Sequence, residues 1–205
     1  MDFRNAKELL KVCQEQGLSI SAVMLQRELT EGEQDPEETD RKMDRVLEIM
    51  KSAASTPIHT PVKSMGGLIG GEAKKISDHK DAGKGLCGDL LERAVIYAMA
   101  TLETNASMGV IVASPTAGSA GIVPGLLLAL QETYDLSDEQ IKQGLYNASA
   151  IGYLAMRNAT VAGAVGGCQA EVGIASAMAA SATVELMGGS PEQSLAAAST
   201  VLMNM

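Results

Sequence analysis

With 205 residues, the chain has room for one large domain or two small ones and for a sizeable core. Its apolar fraction is 46%, yet aromatics make up 2% and tryptophan is absent, so Ala, Leu, Met and Gly carry the hydrophobic content. That mixture suits closely packed helices better than a β-sandwich, and a net charge of −9 argues against a binder of nucleic-acid phosphates.

Helix signals run through the chain. Over 3–15, Ala6, Leu9, Leu10 and Cys13 form a helical stripe that Gly17 closes. Ser19 or Ser21 can cap a second helix through Val23, Met24 and Leu25. Residues 31–35 read as a polar link, and Pro36 fits the first turn of a third helix with Met43, Val46, Leu47 and Met50 on one face. Much of the acidity lies between Glu28 and Glu48, so it describes one surface.

The segment 56–84 breaks the pattern. Pro57, Pro61 and the run Ser64-Met-Gly-Gly-Leu-Ile-Gly-Gly-Glu72 predict irregular structure, with Lys74, Lys75, His79 and Lys80 on a mildly basic surface. A helix is expected from near Leu86 to about Glu103, another over 126–134, and a capping box at Ser137-Asp-Glu-Gln140 opens one towards Leu154. A long small-residue helix follows from Cys168 to the Gly188-Gly189 stop. Ser190-Pro-Glu-Gln193 then starts a last helix with its cap, first-turn proline and N3 glutamine in place. That helix is still in its apolar pattern at Met205, as either a natural terminus or a chain cut short would leave it.

The stretch 104–131 holds no charged residue and is long enough to span a bilayer. Pro115, Pro124 and its glycines break it, and lipid does not tolerate irregular backbone, so a buried loop feeding a helix is the expectation. Three cysteines are too few and too scattered for a disulfide framework. With the polar start Met1-Asp2-Phe3-Arg4-Asn5, they point to a reducing cytoplasm.

Three glycine-rich segments stand out, at 64–71, 116–125 and 163–173. They can converge on one anionic ligand or metal centre through backbone N–H groups, or serve tight helix packing and turns. None is a Walker loop or a dinucleotide fingerprint. In the third, Cys168 follows the pair Gly166-Gly167 at a helix start, where free N–H groups and the helix dipole favour negative charge on sulfur. Cys13 lies on an apolar stripe and reads as core. Cys87 reads as a free thiol before a ligand, and His59 and His79 as solvated side chains or proton shuttles. Zinc-site spacing and a nucleophile elbow are both missing, and Ser119 has no obvious triad partners.

Taken together, Phe3-Arg-Asn5, Gly66-Gly-Leu-Ile-Gly-Gly71 with Lys74, Pro115-Thr-Ala-Gly-Ser-Ala-Gly-Ile-Val-Pro-Gly125 and Gly166-Gly-Cys-Gln-Ala-Glu-Val-Gly173 closely resemble the alpha subunit of iron–sulfur-dependent L-serine dehydratase (L-serine ammonia-lyase). The match is to the bacterial type with separate alpha and beta chains, and it spans nearly the whole sequence in order.

The resemblance implies an all-α, multi-helix domain whose glycine-rich loops converge on a cluster site. Residues 1–205 would form a single helical domain, the N-terminal part of the alpha-subunit catalytic domain, with about the last third missing. It implies a lyase of amino-acid catabolism and gluconeogenesis that converts L-serine to pyruvate and ammonia without pyridoxal phosphate. Its 4Fe-4S cluster is held by three cysteines, with one iron left open to substrate. Cys168 matches the first cluster ligand, and the other two ligands fall outside this sequence. Cys13 and Cys87 match no ligand position. Thr116, Gly118 and Ser119 are candidates for contacting substrate or the cluster rim, Asn105 is a further candidate, and Gly167 lies at the cluster cradle. The beta subunit is the expected partner and supplies much of the substrate-carboxylate pocket and the base. The chain would then be inactive alone and prone to self-association, with neither nucleic acid nor membrane as partner. A helical anion-binding or scaffolding module without a cluster is the alternative. A related hydro-lyase acting on another hydroxy acid is a third reading.

Overall fold

Asn5 opens the first helix: in extended conformation, its side chain accepts a hydrogen bond from the Glu8 N–H at 3.0 Å, satisfying a donor the helix cannot use itself. The computed structural model describes residues 2–32 and 35–205, and among these it contains nine helices and no strand. They are α1 (Ala6–Gln16), α2 (Ile20–Glu31), α3 (Pro36–His59), α4 (Glu72–Asp81), α5 (Asp89–Ala106), α6 (Ile122–Tyr134), α7 (Asp138–Asn158), α8 (Gly163–Leu186) and α9 (Pro191–Asn204). The all-α expectation is met. No helix among the described residues is long and apolar enough to cross a membrane.

Several local signals appear where the sequence placed them. Gly17 closes α1, Ser19 caps α2, and Ser190 with Gln193 forms a reciprocal capping box on α9. Part of the polar link expected over 31–35 falls on Glu33 and Gln34, and part of the polar start on Met1, all outside the described residues.

Other expectations are corrected. The segment 56–84 is not irregular throughout: α3 runs through Pro57 to His59, and α4 lies inside the segment. Of α4 only Ala73 is fully buried, so it carries almost no apolar stripe to read. Its first turn is anchored from α5, where the buried Glu103 accepts the Ala73 N–H at 2.8 Å. α1 starts at Ala6 because Asn5 caps it, and α5 starts at Asp89 behind Gly88. α6 starts at Ile122, four residues earlier than the apolar run suggested, because Pro124 fits a first turn.

Packing divides the chain into two units, Met1–Arg45 with Asp138–Met205, and Val46–Ser137. In the first, α7 packs against α2 and α8, and α9 packs against α8 and α1. The core there is Phe3, Leu9, Cys13, Ile20, Val23, Met24, Tyr146 and Ala150. Phe3 meets Tyr153 edge to face at 5.4 Å, and the Arg27 guanidinium lies 3.9 Å over the same ring. Glu185 of α8 accepts the Ile20 N–H at 3.0 Å, the Ser21 N–H at 3.3 Å and Asn147 Nδ2 at 2.7 Å, joining α8 to α2 and α7. Nearby, Lys142 is nearly buried among Asp40, Asp44 and Glu139, and these carboxylates hold its ammonium well above the usual lysine range.

In the second unit, α5 packs against α4 and α6. The α5–α6 crossing is close because two glycines face it. A Cβ on Gly121 would run into the carbonyl oxygen of Ala98, and one on Gly125 would lie 2.9 Å from that of Ala94. Tyr97 and Arg93 of α5 both bond to Glu132 at the far end of α6, and burial beside that carboxylate pushes the Tyr97 hydroxyl up to about 12.

Candidate functional site

The segment between α5 and α6 carries the motif from Ser114 to Gly121. Hydrogen bonds within the loop hold its hydroxyls. Ser119 is buried, and its Oγ donates to the Ser114 carbonyl at 3.3 Å and pairs with Thr116 Oγ1 at 3.2 Å. The Ser114 N–H donates back to the Thr116 carbonyl at 3.3 Å. Asn105, in the last turn of α5, donates from Nδ2 to the Ala117 carbonyl at 3.1 Å. Thr116 is half-buried, while Ala117 and Gly118 form the exposed edge of the loop. It leads into α6, whose N-terminus has no side-chain cap.

The 64–71 loop reaches the same end of α5. It closes on itself through Ser64 N–H to the Ile69 carbonyl at 2.8 Å, and Met65 N–H donates to the Ala106 carbonyl at 3.3 Å. Two of the three glycine-rich segments therefore meet at the C-terminal end of α5.

The third lies in the other unit. Val165 and Gly166 both donate to the Ala162 carbonyl, at 3.0 and 2.9 Å, forming a turn. Gly167 then breaks the helical path with φ 81° and ψ 164°, a conformation that side chains rarely adopt. Cys168 is thus the first residue of the long regular part of α8, as its sequence position suggested. Residues 164–169 are exposed, and nothing stands within 4 Å of a Cβ built on Gly167. Glu171 lies on the next turn with its carboxylate against Gly163, where a Cβ would meet Oε2 at 2.6 Å.

The donor set for a cluster is partial. Among the described residues, no group of three His, Cys, Asp or Glu side chains is placed to hold a metal ion. Cys168 and Cys87 are exposed, while Cys13 is sealed in the core, where burial, reinforced by Glu185 and Glu192, pushes its thiol up to about 11. Among the described residues, Cys168 offers an exposed thiol but is not part of a complete donor set. His59 and His79 are exposed in the last turns of α3 and α4, positions that suit a cation.

Sequence reasoning passed over Glu103, a buried carboxyl two residues before Asn105. Only its partner on α4 reveals it, and that pairing leaves no local trace.

The chain belongs to the serine dehydratase alpha chain family, whose pattern matches residues 15–205. It is 46% identical over 203 residues to the "Probable L-serine dehydratase, alpha chain" of Bacillus subtilis (strain 168), covering 99% of this chain and 67% of that one. To the "L-serine dehydratase, alpha chain" of Peptoniphilus asaccharolyticus it is 42% identical over 203 residues, 99% of this chain and 70% of the relative. A protein named simply "L-serine dehydratase", from Streptomyces coelicolor, is 37% identical over 197 residues, covering 93% of this chain but only 42% of the relative.

Proposed function

We propose that this chain is the alpha subunit, in whole or part, of an L-serine ammonia-lyase that works with a beta chain to convert L-serine to pyruvate and ammonia. The observation that carries the reading is the combination at Cys168: an exposed thiol at the start of the regular part of α8, behind a glycine in a conformation only glycine adopts readily, in a chain 46% identical to a named alpha chain. Residues 1–205 then act as the N-terminal part of a single catalytic domain.

Elimination of water from serine requires loss of the Cα proton and departure of hydroxide from Cβ. A cluster with one open iron would supply the Lewis acid for that departure. Cys168 would hold one of its irons, with the remaining thiolates supplied from outside this chain.

This chain's own contribution is to fix and expose backbone. Gly167 turns the chain so that Cys168 stands exposed at the start of the regular part of α8. In the unit Val46–Ser137, Ser119 and Asn105 hold the motif loop from within and from behind, which leaves Thr116 and Gly118 as its candidate ligand contacts. Neither His59 nor His79 is needed as a base.

The test is a chimera in which residues 1–205 replace the matching part of the Bacillus subtilis alpha chain. It is produced with that enzyme's beta chain and handled without oxygen. Pyruvate formed from L-serine, together with loss of iron and of pyruvate formation in Cys168→Ser, is the expected result. A chimera that binds iron but leaves L-serine untouched would overturn the substrate assignment. A Cys168→Ser chimera with full iron content would overturn the ligand.

A further inference from the structure

Unit Val46–Ser137 exposes an apolar surface that its own fold does not explain. Met65 is 81% exposed, Leu68 90%, Met108 76% and Val110 70%, with Ile69 half-exposed beside them. The backbone brings their segments together: Met65 N–H is bonded to Ala106, two residues before Met108, and Ile69 is tied back to Ser64 through both its carbonyl and its N–H. The loop is thus built to present these side chains rather than left unstructured. Single exposed apolar residues are ordinary, but a joined group of this kind marks an interaction surface, and methionine is enriched in such surfaces.

The relatives indicate what covers it. The same stretch makes up 67% and 70% of two proteins named alpha chains, but 42% of one named simply L-serine dehydratase. The longer relative therefore carries in one chain a further portion that the alpha chains lack, and a separate alpha chain must meet that portion through a surface. The Met65–Met108 face qualifies, because it lies at the end of α5 that also holds the Asn105–Ala117 contact. We propose that the surface formed by Met65, Leu68, Ile69, Met108 and Val110 is the docking face for the beta chain. This rests on the subunit reading above. It places the beta chain against the motif loop, so that the loop's exposed edge at Ala117–Gly118 becomes enclosed only on assembly.

The test measures association of this chain with its cognate beta chain by sedimentation, for the wild type and for Leu68→Lys/Val110→Lys. Both positions face solvent, so the variant retains the wild-type helical signal and melting temperature. Its binding is expected to weaken about 100-fold. A second readout needs no variant: brief exposure to dilute peroxide, with mass spectrometry of each methionine. In the free chain Met65 and Met108 oxidise about as fast as Met203, which is 77% exposed in the other unit. In the complex their oxidation is expected to slow about tenfold relative to Met203. If wild type and variant bind alike, or both methionines oxidise unprotected in a complex that forms, this docking face is wrong while the subunit reading stands. If the wild type binds no beta chain, the subunit reading itself falls, and the docking face with it. If a dimer of this chain protects both methionines and the beta chain does not displace it, the surface belongs to a second copy and the proposal is overturned.

Discussion

Thr104 Oγ1 donates a hydrogen bond to the carbonyl of Ala53 at 2.9 Å. That carbonyl lies four residues before Pro57, which has no N–H to offer it, so a hydroxyl from α5 supplies the donor that α3 lost. Ala53 is buried, and water cannot substitute. Thr104→Val is expected to cost about 1–2 kcal/mol of stability by leaving that carbonyl unpaired. Pro57→Ala restores the helix's own donor, so in that background the same substitution should cost measurably less. A urea-denaturation double-mutant cycle reads the difference, and equal costs in both backgrounds would refute the compensation.

The three cysteines should separate cleanly by accessibility. Cys87 and Cys168 are exposed, whereas Cys13 is 2% exposed with its thiol pushed up to about 11 by burial and the Glu185 and Glu192 charges. Titration of the native protein with a thiol reagent near neutral pH should give two fast equivalents, the third reacting only after denaturation. Fast loss of all three would mean that the α1 packing is loose.

At the N-terminal anchor, burial works against the Asp2 charge. Hydrogen bonds from Tyr153 and Arg27 outweigh it, helped by the Phe3 N–H and the Arg157 charge, and bring the carboxyl from 3.8 down to about 2. A carboxyl lowered on folding contributes stability above its unfolded value and loses that contribution as pH falls towards the folded one. The stability gap between wild type and Asp2→Asn should therefore stay constant above about pH 5 and close between about pH 4 and pH 2. Because Asp2 is partly exposed, the gap should also shrink with added salt. Urea midpoints across that range are the measurement.

Where α6 crosses α5, Gly121→Ala drives a methyl into the backbone of Ala98 and should cost about 1–3 kcal/mol. Gly66→Ala has open space around it and should be close to neutral. Comparable thermal shifts for the two would show that the crossing can widen freely.

Caps and periodic stripes were readable before the structure because they are local. Gly17, Ser19, Pro36 and the Ser190–Gln193 box each act within one helical turn, and the place of Cys168 at the start of the regular part of α8 followed from the glycine pair before it. α4 was missed because its strongest anchor is Glu103, thirty residues along the chain, while its own face is mostly charged. The passage of α3 through Pro57 was missed for the same reason, since the rescuing hydroxyl belongs to α5. At the candidate site the motif named Thr116, Gly118 and Ser119 together, but not their division of labour. Ser119 is buried and bonded within the loop while Gly118 faces solvent, a difference set by tertiary packing.

The unit that carries Cys168 is discontinuous, assembled from Met1–Arg45 and Asp138–Met205, with the other unit continuous between them. During synthesis the middle segment leaves the ribosome complete, with every helix it needs. The opening helices by then have neither the Glu185 carboxylate that satisfies Ile20 and Ser21 nor Tyr153 to cover Phe3. They wait, apolar faces uncovered, until α7 to α9 emerge. Premature termination at the start of α7 would therefore leave an intact middle segment attached to a sticky N-terminal arm, the kind of species that chaperones must hold.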